Sequence, residues 1–290
     1  MSGAPQPGPT LGVLEVIKKT SDFLASRGVE SPRLNAELIV GEALGLARMR
    51  LYLEFERPVA PGELDAIREM VRRRGRREPL QYVLGHSDFC GLRLKTDRRA
   101  LIPRPETELL VETVVARCQQ PPPGILDLGT GTGAIALALA RAYPEARVTA
   151  ADSSPQALEL AAENAASAGL AGRVAFVRSD WFSGLAEGPR FELIVSNPPY
   201  LSGEELAGAS PEVRDNEPAG ALASGAGGFA DIERIILGAP AWLAEGGLLA
   251  LETGTGHHAL AADAARRAGL SGAESLRDLS GRDRIFLARR

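Results

Sequence analysis

The chain has 290 residues, 44% of them hydrophobic and 24% charged, a net charge of -4, two cysteines and three histidines. That length suits one large domain or two ordinary ones, each able to bury a core without staples. Cys90 and Cys118 are too few for a disulfide framework or a zinc site, and His86, His257 and His258 too few for a histidine-built metal centre. No apolar run approaches a membrane span, and the opening MSGAPQPGPT lacks a basic-then-apolar signal pattern. The sequence therefore reads as a cytoplasmic protein with no metal and no membrane.

Residues 1–10, rich in Pro and Gly, are expected to be disordered. From 11 to 79 the pattern is helical. Leu14, Ile17, Phe23 and Leu24 follow one face, Ser31-Pro32 reads as an N-cap with Pro at N1, and Pro61 opens a further helix containing Leu64, Ile67 and Val71. This small helical domain holds no catalytic constellation. The first 80 residues carry 13 Lys and Arg against 11 Asp and Glu, whereas the remainder carries 20 against 26. An acidic main domain is a poor platform for a polyanion. The exception is Arg72-Arg-Arg-Gly-Arg-Arg77, which reads either as a solvated helix end complementing the dipole or as a contact to RNA or an acidic partner.

Residues 80–104 read as a linker with a short helix and a β-hairpin turning at Cys90-Gly91. Pro105 opens a helix with Leu109, Leu110 and Val114 on its apolar face, and residues 105–290 form the main domain. Strands are expected at 125–128, 147–151, 173–177, 191–196, 248–252, 273–276 and 284–288. Helices are expected at 134–142, 155–168, 231–243 and 259–268. Alternating strand and helix imply a mostly parallel sheet covered on both faces. The last two strands, joined by Ser280-Gly-Arg-Asp283, imply an antiparallel C-terminal hairpin.

Asp127-Leu-Gly-Thr-Gly-Thr-Gly133 follows a strand and opens a helix, so Gly129, Thr130, Gly131, Thr132 and Gly133 let backbone approach a ligand closely. A dinucleotide fingerprint would be G-x-G-x-x-G, but the sixth position is Ala134 and an extra glycine stands at Gly133. The spacing suits S-adenosylmethionine better, with Asp127 near its ammonium. Asp152 ends the second strand, where it can accept from ribose hydroxyls or cap the helix at Pro155. Ser179-Asp180-Trp181-Phe182 ends the third. Asp180 suits an adenine amine and Trp181 an adenine ring, although Trp181 can also be plain core.

Asn197-Pro-Pro-Tyr200 ends the fourth strand. Proline donates no hydrogen bond and fixes φ, so Asn197, Pro198 and Pro199 present oxygens: the Asn197 side-chain oxygen and the Pro198 carbonyl. Two acceptors suit an NH₂ group on a planar substrate, and Tyr200 can cover that plane. The expected fold is a class I S-adenosylmethionine methyltransferase, Rossmann-like, with a mostly parallel seven-stranded sheet and a small N-terminal helical domain.

Together these segments resemble the HemK/PrmC family of protein N5-glutamine methyltransferases, which modify class I peptide-chain release factors. The resemblance runs over most of the chain. It is densest in Pro79-Leu-Gln-Tyr-Val-Leu-Gly85, Leu101-Ile-Pro-Arg-Pro-Glu-Thr-Glu108, the glycine loop, Ser179-Asp-Trp-Phe182 and Ile194-Val-Ser-Asn-Pro-Pro-Tyr200. It implies that residues 129–133, Asp152 and Trp181 bind S-adenosylmethionine, that residues 197–200 hold the glutamine of a Gly-Gly-Gln loop, and that the helical domain docks the release factor. Glu212-Val-Arg-Asp-Asn-Glu-Pro218, Ala221-Leu-Ala-Ser-Gly225 and Leu251-Glu-Thr-Gly254 match more loosely, with Glu252 in place. Arg104 and Glu106 read as shaping the pocket entrance or as a helix start, and His257-His258 as an exposed helix start. The alternative is an RNA or DNA amino-methyltransferase acting on adenine N6 or guanine N2, which shares Asn-Pro-Pro-Tyr. It gains from the arginine cluster and loses from the acidic main domain, so no stable nucleic-acid binding is expected. A non-catalytic module that merely binds S-adenosylmethionine or a translation factor has no chemical reason to retain both Asn197 and the glycine loop.

Overall fold

A computed structural model describes residues 11–118, 120–188 and 190–290; the N-terminal ten residues lie outside them. The chain divides into two units between Gly85 and His86.

The first unit is helical: Val13–Ser26, Pro32–Leu44, Arg48–Leu53, Pro61–Gly75 and Leu80–Leu84. Its core gathers Val16, Ile17, Leu24, Ile39, Val40, Leu51 and Ile67. On the first helix the buried stripe is Val13, Val16, Ile17, Thr20 and Leu24, an i, i+3, i+4, i+7 row, while Leu14 and Phe23 stand exposed beside it. Ser31 supplies no side-chain cap; its backbone is left-handed at φ 47° and Pro32 starts the helix. The arginine cluster is only in part a solvated helix end: Arg72 and Arg76 are exposed, whereas Arg73, Arg74 and Arg77 are engaged. Arg74, 6% exposed, donates to the Asn35 side chain (2.8 Å) and the Glu78 carbonyl (3.1 Å). Arg73 pairs with Glu78 and reaches the Tyr82 carbonyl at 2.8 Å, and Arg77 donates to the Gly28 carbonyl at 2.9 Å. These guanidiniums close the C-terminal end of the unit on itself, satisfying carbonyls that a helix end and the following turn leave open.

In the second unit the hairpin β1 (His86–Phe89) and β2 (Leu92–Lys95) turns at Cys90 and Gly91, both at positive φ. Phe89, Leu92 and Leu94 enter the same core as Leu110, Val114 and Ile135, so the hairpin packs as part of this unit. The main sheet contains β3 (Gly124–Leu128), β4 (Arg147–Asp152), β5 (Val174–Arg178), β6 (Phe191–Ser196), β7 (Leu243–Glu252), β8 (Ser271–Arg277) and β9 (Asp283–Arg289). Their order is β5-β4-β3-β6-β7-β9-β8; β3 to β7 run parallel, and β9 lies between β7 and β8, antiparallel to both. β7 starts earlier than its apolar run, because residues 244–247 bulge between the pairs Phe191–Leu243 and Leu193–Leu248.

Side chains alternate between two cores, one on each face of the sheet. Ile125, Leu193 and Val195 point to the core under Pro105–Arg117 and Ala134–Ala142, whereas Leu126, Leu128 and Ile194 point to the one under Ala230–Trp242 and His258–Arg267. That double burial is why these strands read as unbroken apolar runs. It also pins their carboxyl ends in register, with Asp127 beside Ala150 and Val195, which fixes where the loops after β3, β4, β5 and β6 emerge.

Candidate active site

A cavity of about 390 Å³ opens at the carboxyl ends of β3 to β6. Its wall includes Gly129, Thr130, Gly131 and Thr132 from the first loop, Asp152 from the second, Asp180 and Trp181 from the third, and Asn197 and Pro199 from the fourth. Four segments separated by up to about seventy residues thus meet at one sheet edge, where open α/β sheets place their ligands.

The glycine loop is built by its own hydrogen bonds. The Gly129 and Thr130 amides both donate to the Ala151 carbonyl, at 2.8 and 3.0 Å. Gly129 and Gly131 have φ of 70° and 57°, and a Cβ on Gly129 would stand 3.4 Å from the Trp181 ring. Gly133 does not face the cavity. Its φ is 83° and a Cβ there would meet Ala161 at 3.1 Å, so this glycine serves close packing of the following helix on its neighbour. Asp127 lies beneath the loop with no exposed surface and is not part of the cavity wall. Its Oδ2 accepts from the Thr130 hydroxyl (2.6 Å) and the Ala136 amide (3.2 Å), while Oδ1 has no partner. Burial pushes its carboxyl up to about 7.

Asp152 accepts from the Gly131 amide through Oδ2 and from the Ser154 amide through Oδ1, both at 2.9 Å. The cap of the helix at Pro155 is Ser154, whose hydroxyl accepts from the Ala157 amide. Asp152 is therefore half of a clamp on the loop, with lone pairs left over. Asp180 is exposed and accepts from Arg234 at 3.1 Å, a surface pair that contributes little by itself. Trp181 has a left-handed backbone, φ 51°, which costs a non-glycine residue on the order of 1–2 kcal/mol. The Ser179 hydroxyl holds that turn by donating to the Trp181 carbonyl at 2.6 Å, and the indole N–H donates to Asp231 at 3.0 Å. This strained tryptophan, tied at both ends, stands on the cavity wall and also packs against the core under Ala230–Trp242 and His258–Arg267.

These residues fit S-adenosylmethionine. The glycine cradle is one that a Cβ would narrow, an orphaned buried carboxylate oxygen lies under it, and an aromatic plate stands beside it.

The Asn-Pro-Pro-Tyr segment divides its tasks. Asn197 and Pro199 line the cavity, Pro198 is buried, and Tyr200 is half-buried outside the wall. The Asn197 Nδ2 donates to the Thr107 hydroxyl at 3.0 Å. Thr107 donates to Glu252 Oε2 at 2.7 Å, and the Tyr200 hydroxyl donates to Glu252 Oε1 at 3.0 Å. Arg284 completes the set, donating to the Tyr200 oxygen at 3.2 Å with its guanidinium 5.6 Å from the Tyr200 ring centre. Burial raises the Tyr200 and Glu252 groups above their ordinary values. Arg104 lines the cavity and donates to the buried Glu217 at 2.5 Å, and the Ile102 amide reaches the same carboxylate, so residues 102–104 are tied to the segment after the fourth loop. Glu106 lies in the first turn of the helix Pro105–Arg117, with Arg282 at 3.7 Å. His257 and His258 do start a helix, but both are buried: His258 shares a 2.7 Å hydrogen bond with Thr253, and His257 packs on Phe229.

Thr107, Arg284 and Asp231 are the site residues that sequence reasoning passed over. Glu252 carried a usable signal, an acid ending an otherwise apolar strand just as Asp152 does one sheet position beyond β3. Among the described residues no cluster of three or more His, Cys, Asp or Glu could hold a metal ion, and no helix is long and apolar enough to cross a membrane.

Comparison with known proteins gives the family. The family described as PrmC N-terminal domain matches residues 15–85, and the methyltransferase small domain family matches residues 105–211. The chain is 40% identical to the release factor glutamine methyltransferase of Geobacter sulfurreducens, over 94% of this chain and 95% of that one. It is 43% identical to the release factor glutamine methyltransferase of Moorella thermoacetica, over 92% and 94%. Among solved structures, a methyltransferase from Pyrococcus furiosus shares the fold, with a TM-score of 0.51 at 20% identity over 69% of this chain and 88% of that one.

Proposed function

We infer the activity of this site from the premise that the chain belongs to the release factor glutamine methyltransferase family. It is an S-adenosylmethionine-dependent protein-glutamine methyltransferase. The acceptor we assign is the side-chain amide nitrogen, N5, of the glutamine in the Gly-Gly-Gln motif of a class I peptide-chain release factor. The helical unit, residues 11–79 with the short helix that follows, is assigned to docking that partner, and a cytoplasmic location goes with it.

Bound S-adenosylmethionine supplies an electrophilic methyl carbon on a sulfonium. Gly129, Thr130, Gly131 and Thr132 would hold its amino-acid end above Asp127, Asp152 its ribose hydroxyls, and Asp180 with Trp181 its adenine. The acceptor amide is a poor nucleophile because its nitrogen lone pair is delocalised. Asn197 Oδ1 and the Pro198 carbonyl would take one N–H hydrogen each, which orients the nitrogen and stabilises the positive charge that develops on it. No strong base has to act before attack, since the proton is far more acidic once the nitrogen is alkylated.

One observation carries this reading: the Asn197 amide nitrogen is turned to Thr107, which leaves Oδ1 as an acceptor on a wall shared with the glycine loop. Labelled S-adenosylmethionine offered in parallel to a release factor, tRNA and ribosomal RNA tests it. Label is expected in the release factor. Label in RNA alone would favour the nucleic-acid alternative, for which the arginine cluster gives little support, because Arg73, Arg74 and Arg77 are engaged within the helical unit.

Asp152→Ala is expected to weaken cofactor binding about 10- to 100-fold, the worth of one or two charge-assisted hydrogen bonds. Calorimetry reads this directly, and an unchanged Kd would remove Asp152 from the ribose site.

A further inference from the structure

We infer that Thr107 and Glu252 are positioning residues that decide which end of the Asn197 amide faces the substrate. The inference rests on the reading of Asn197 as an acceptor for the substrate amide, and it adds two residues to which that reading gives no role.

An asparagine amide has nearly the same shape either way round, but its oxygen accepts and its nitrogen donates. Turned wrongly, Asn197 would set an NH₂ group against the very NH₂ group it has to hold. Nothing within Asn-Pro-Pro-Tyr makes the choice. Both prolines lack an N–H, so neither can engage the Asn197 oxygen and turn it away from the cavity.

The direction is set by a chain of hydrogen bonds that begins at Thr107 on the cavity wall and runs back from it. Thr107 has a single hydroxyl hydrogen, and it goes to Glu252 Oε2 at 2.7 Å. With that hydrogen committed, Thr107 can only accept from Asn197, and the nitrogen end must turn toward it, at 3.0 Å. Glu252 is in turn held as an acceptor from its other side. Its Oε1 accepts from the Tyr200 hydroxyl at 3.0 Å, and the Tyr200 oxygen accepts from Arg284 at 3.2 Å. Two donor chains, one from Arg284 and one from Asn197, converge on one carboxylate. Thr107 is 4% exposed and Glu252 0%, so the Thr107–Glu252 bond is shielded from water. Glu252 is not on the cavity wall, so its influence on substrate passes through Thr107 and Tyr200.

The segments involved are far apart in sequence: the start of the helix Pro105–Arg117, the end of β6 and the end of β7. Their meeting gives the acid at the end of β7 and the threonine of Pro-Glu-Thr-Glu a common task, which neither stretch suggests when read singly.

The test uses the full-length enzyme with a release factor as substrate. Thr107→Val keeps the shape of the side chain and removes the hydroxyl. Its kcat is expected to fall about 10- to 100-fold, the usual consequence of a misdirected reacting group, while calorimetry gives an unchanged S-adenosylmethionine Kd. Thr107→Ser restores the hydroxyl and is expected to recover most of the lost kcat. In an Asn197→Ala background, Thr107→Val should cause no further loss, because its effect is exerted through Asn197. A Thr107→Val enzyme as fast as wild type would overturn the inference. So would a Thr107→Ser enzyme as slow as the valine variant, or a loss that adds to that of Asn197→Ala. If the unmodified enzyme transfers no methyl to the release factor, the functional reading itself fails, and that result is told apart from the others by the wild-type control alone.

Discussion

Replacing Asn197 with alanine is expected to cut methyl transfer about 10³-fold, the scale set by removing one preorganised polar group at a site of developing charge. Cofactor affinity should stay within about twofold of wild type, because a group that acts mainly in the transition state contributes to kcat rather than to ground-state binding. The side chain is separable from the cofactor machinery on geometric grounds. Asn197 bonds to Thr107, whereas the glycine loop is held by Ala151 and Asp152, and no hydrogen bond joins the two sets among the described residues. Alanine also leaves Pro198 and Pro199 in place, so the wall keeps its shape and loses only the amide. Methyl transfer to a release factor, followed with labelled cofactor, and calorimetry on the same preparation give the two numbers. Transfer within tenfold of wild type would mean that the substrate nitrogen is gripped elsewhere.

Local pattern foretold the parts of this protein whose physics is local. The runs ending at Leu128 and Ser196 read as strands because both of their faces are buried, and they are strands. The glycine loop and Asn-Pro-Pro-Tyr could be placed at strand ends because each follows such a run directly. The errors come where a partner far along the chain decides. Gly133 looks like a member of the loop, yet its lack of a side chain answers to Ala161 on the next helix. His257 and His258 look like exposed polar residues because nothing near them shows that Phe229, Thr253 and Phe286 will enclose them. Arg73 and Arg74 look solvated until Asn35 and the carbonyls of residues 78 and 82 arrive. Thr107 and Glu252 belong to the same class: 145 residues separate them, and only the sheet order, with β7 beside β6, brings the acid behind Asn197. A buried polar residue has to be satisfied, but the sequence does not name what satisfies it.

A pH series is where the second large effect is expected. Asp127 lies fully buried beneath the glycine loop. Burial pushes its carboxyl from the ordinary 3.8 to about 7; hydrogen bonds from Thr130 and Ala136 oppose the rise and the nearby Asp152 charge adds to it. The folded value lies above the unfolded one. The stability this group contributes to the cofactor-free fold is therefore fully present below pH 3.8 and lost as pH rises through about 7. Above that, an ionised carboxylate with an unpartnered Oδ1 burdens the cofactor-free protein by up to about 4 kcal/mol. A ligand carrying a sulfonium and an ammonium reverses the preference, because it favours the ionised form. Binding below pH 7 must then release a proton, and affinity should rise with pH by up to about tenfold per unit before levelling off. Burial also raises the Asp152 carboxyl, which titrates in the same sense, so Asp127→Asn should flatten most of the slope and not all of it. The asparagine keeps an acceptor for Thr130 and Ala136, so the loop should persist. The cofactor-free variant should melt higher than wild type at alkaline pH while binding S-adenosylmethionine more weakly there. Calorimetry between about pH 5.5 and 8, in two buffers of different ionisation enthalpy, reads the affinity and the proton count together. A Kd that does not move over that range would reduce Asp127 to a strut for Thr130 and Ala136, and the cationic end of the cofactor would have to find its counter-charge on another residue of the cavity wall.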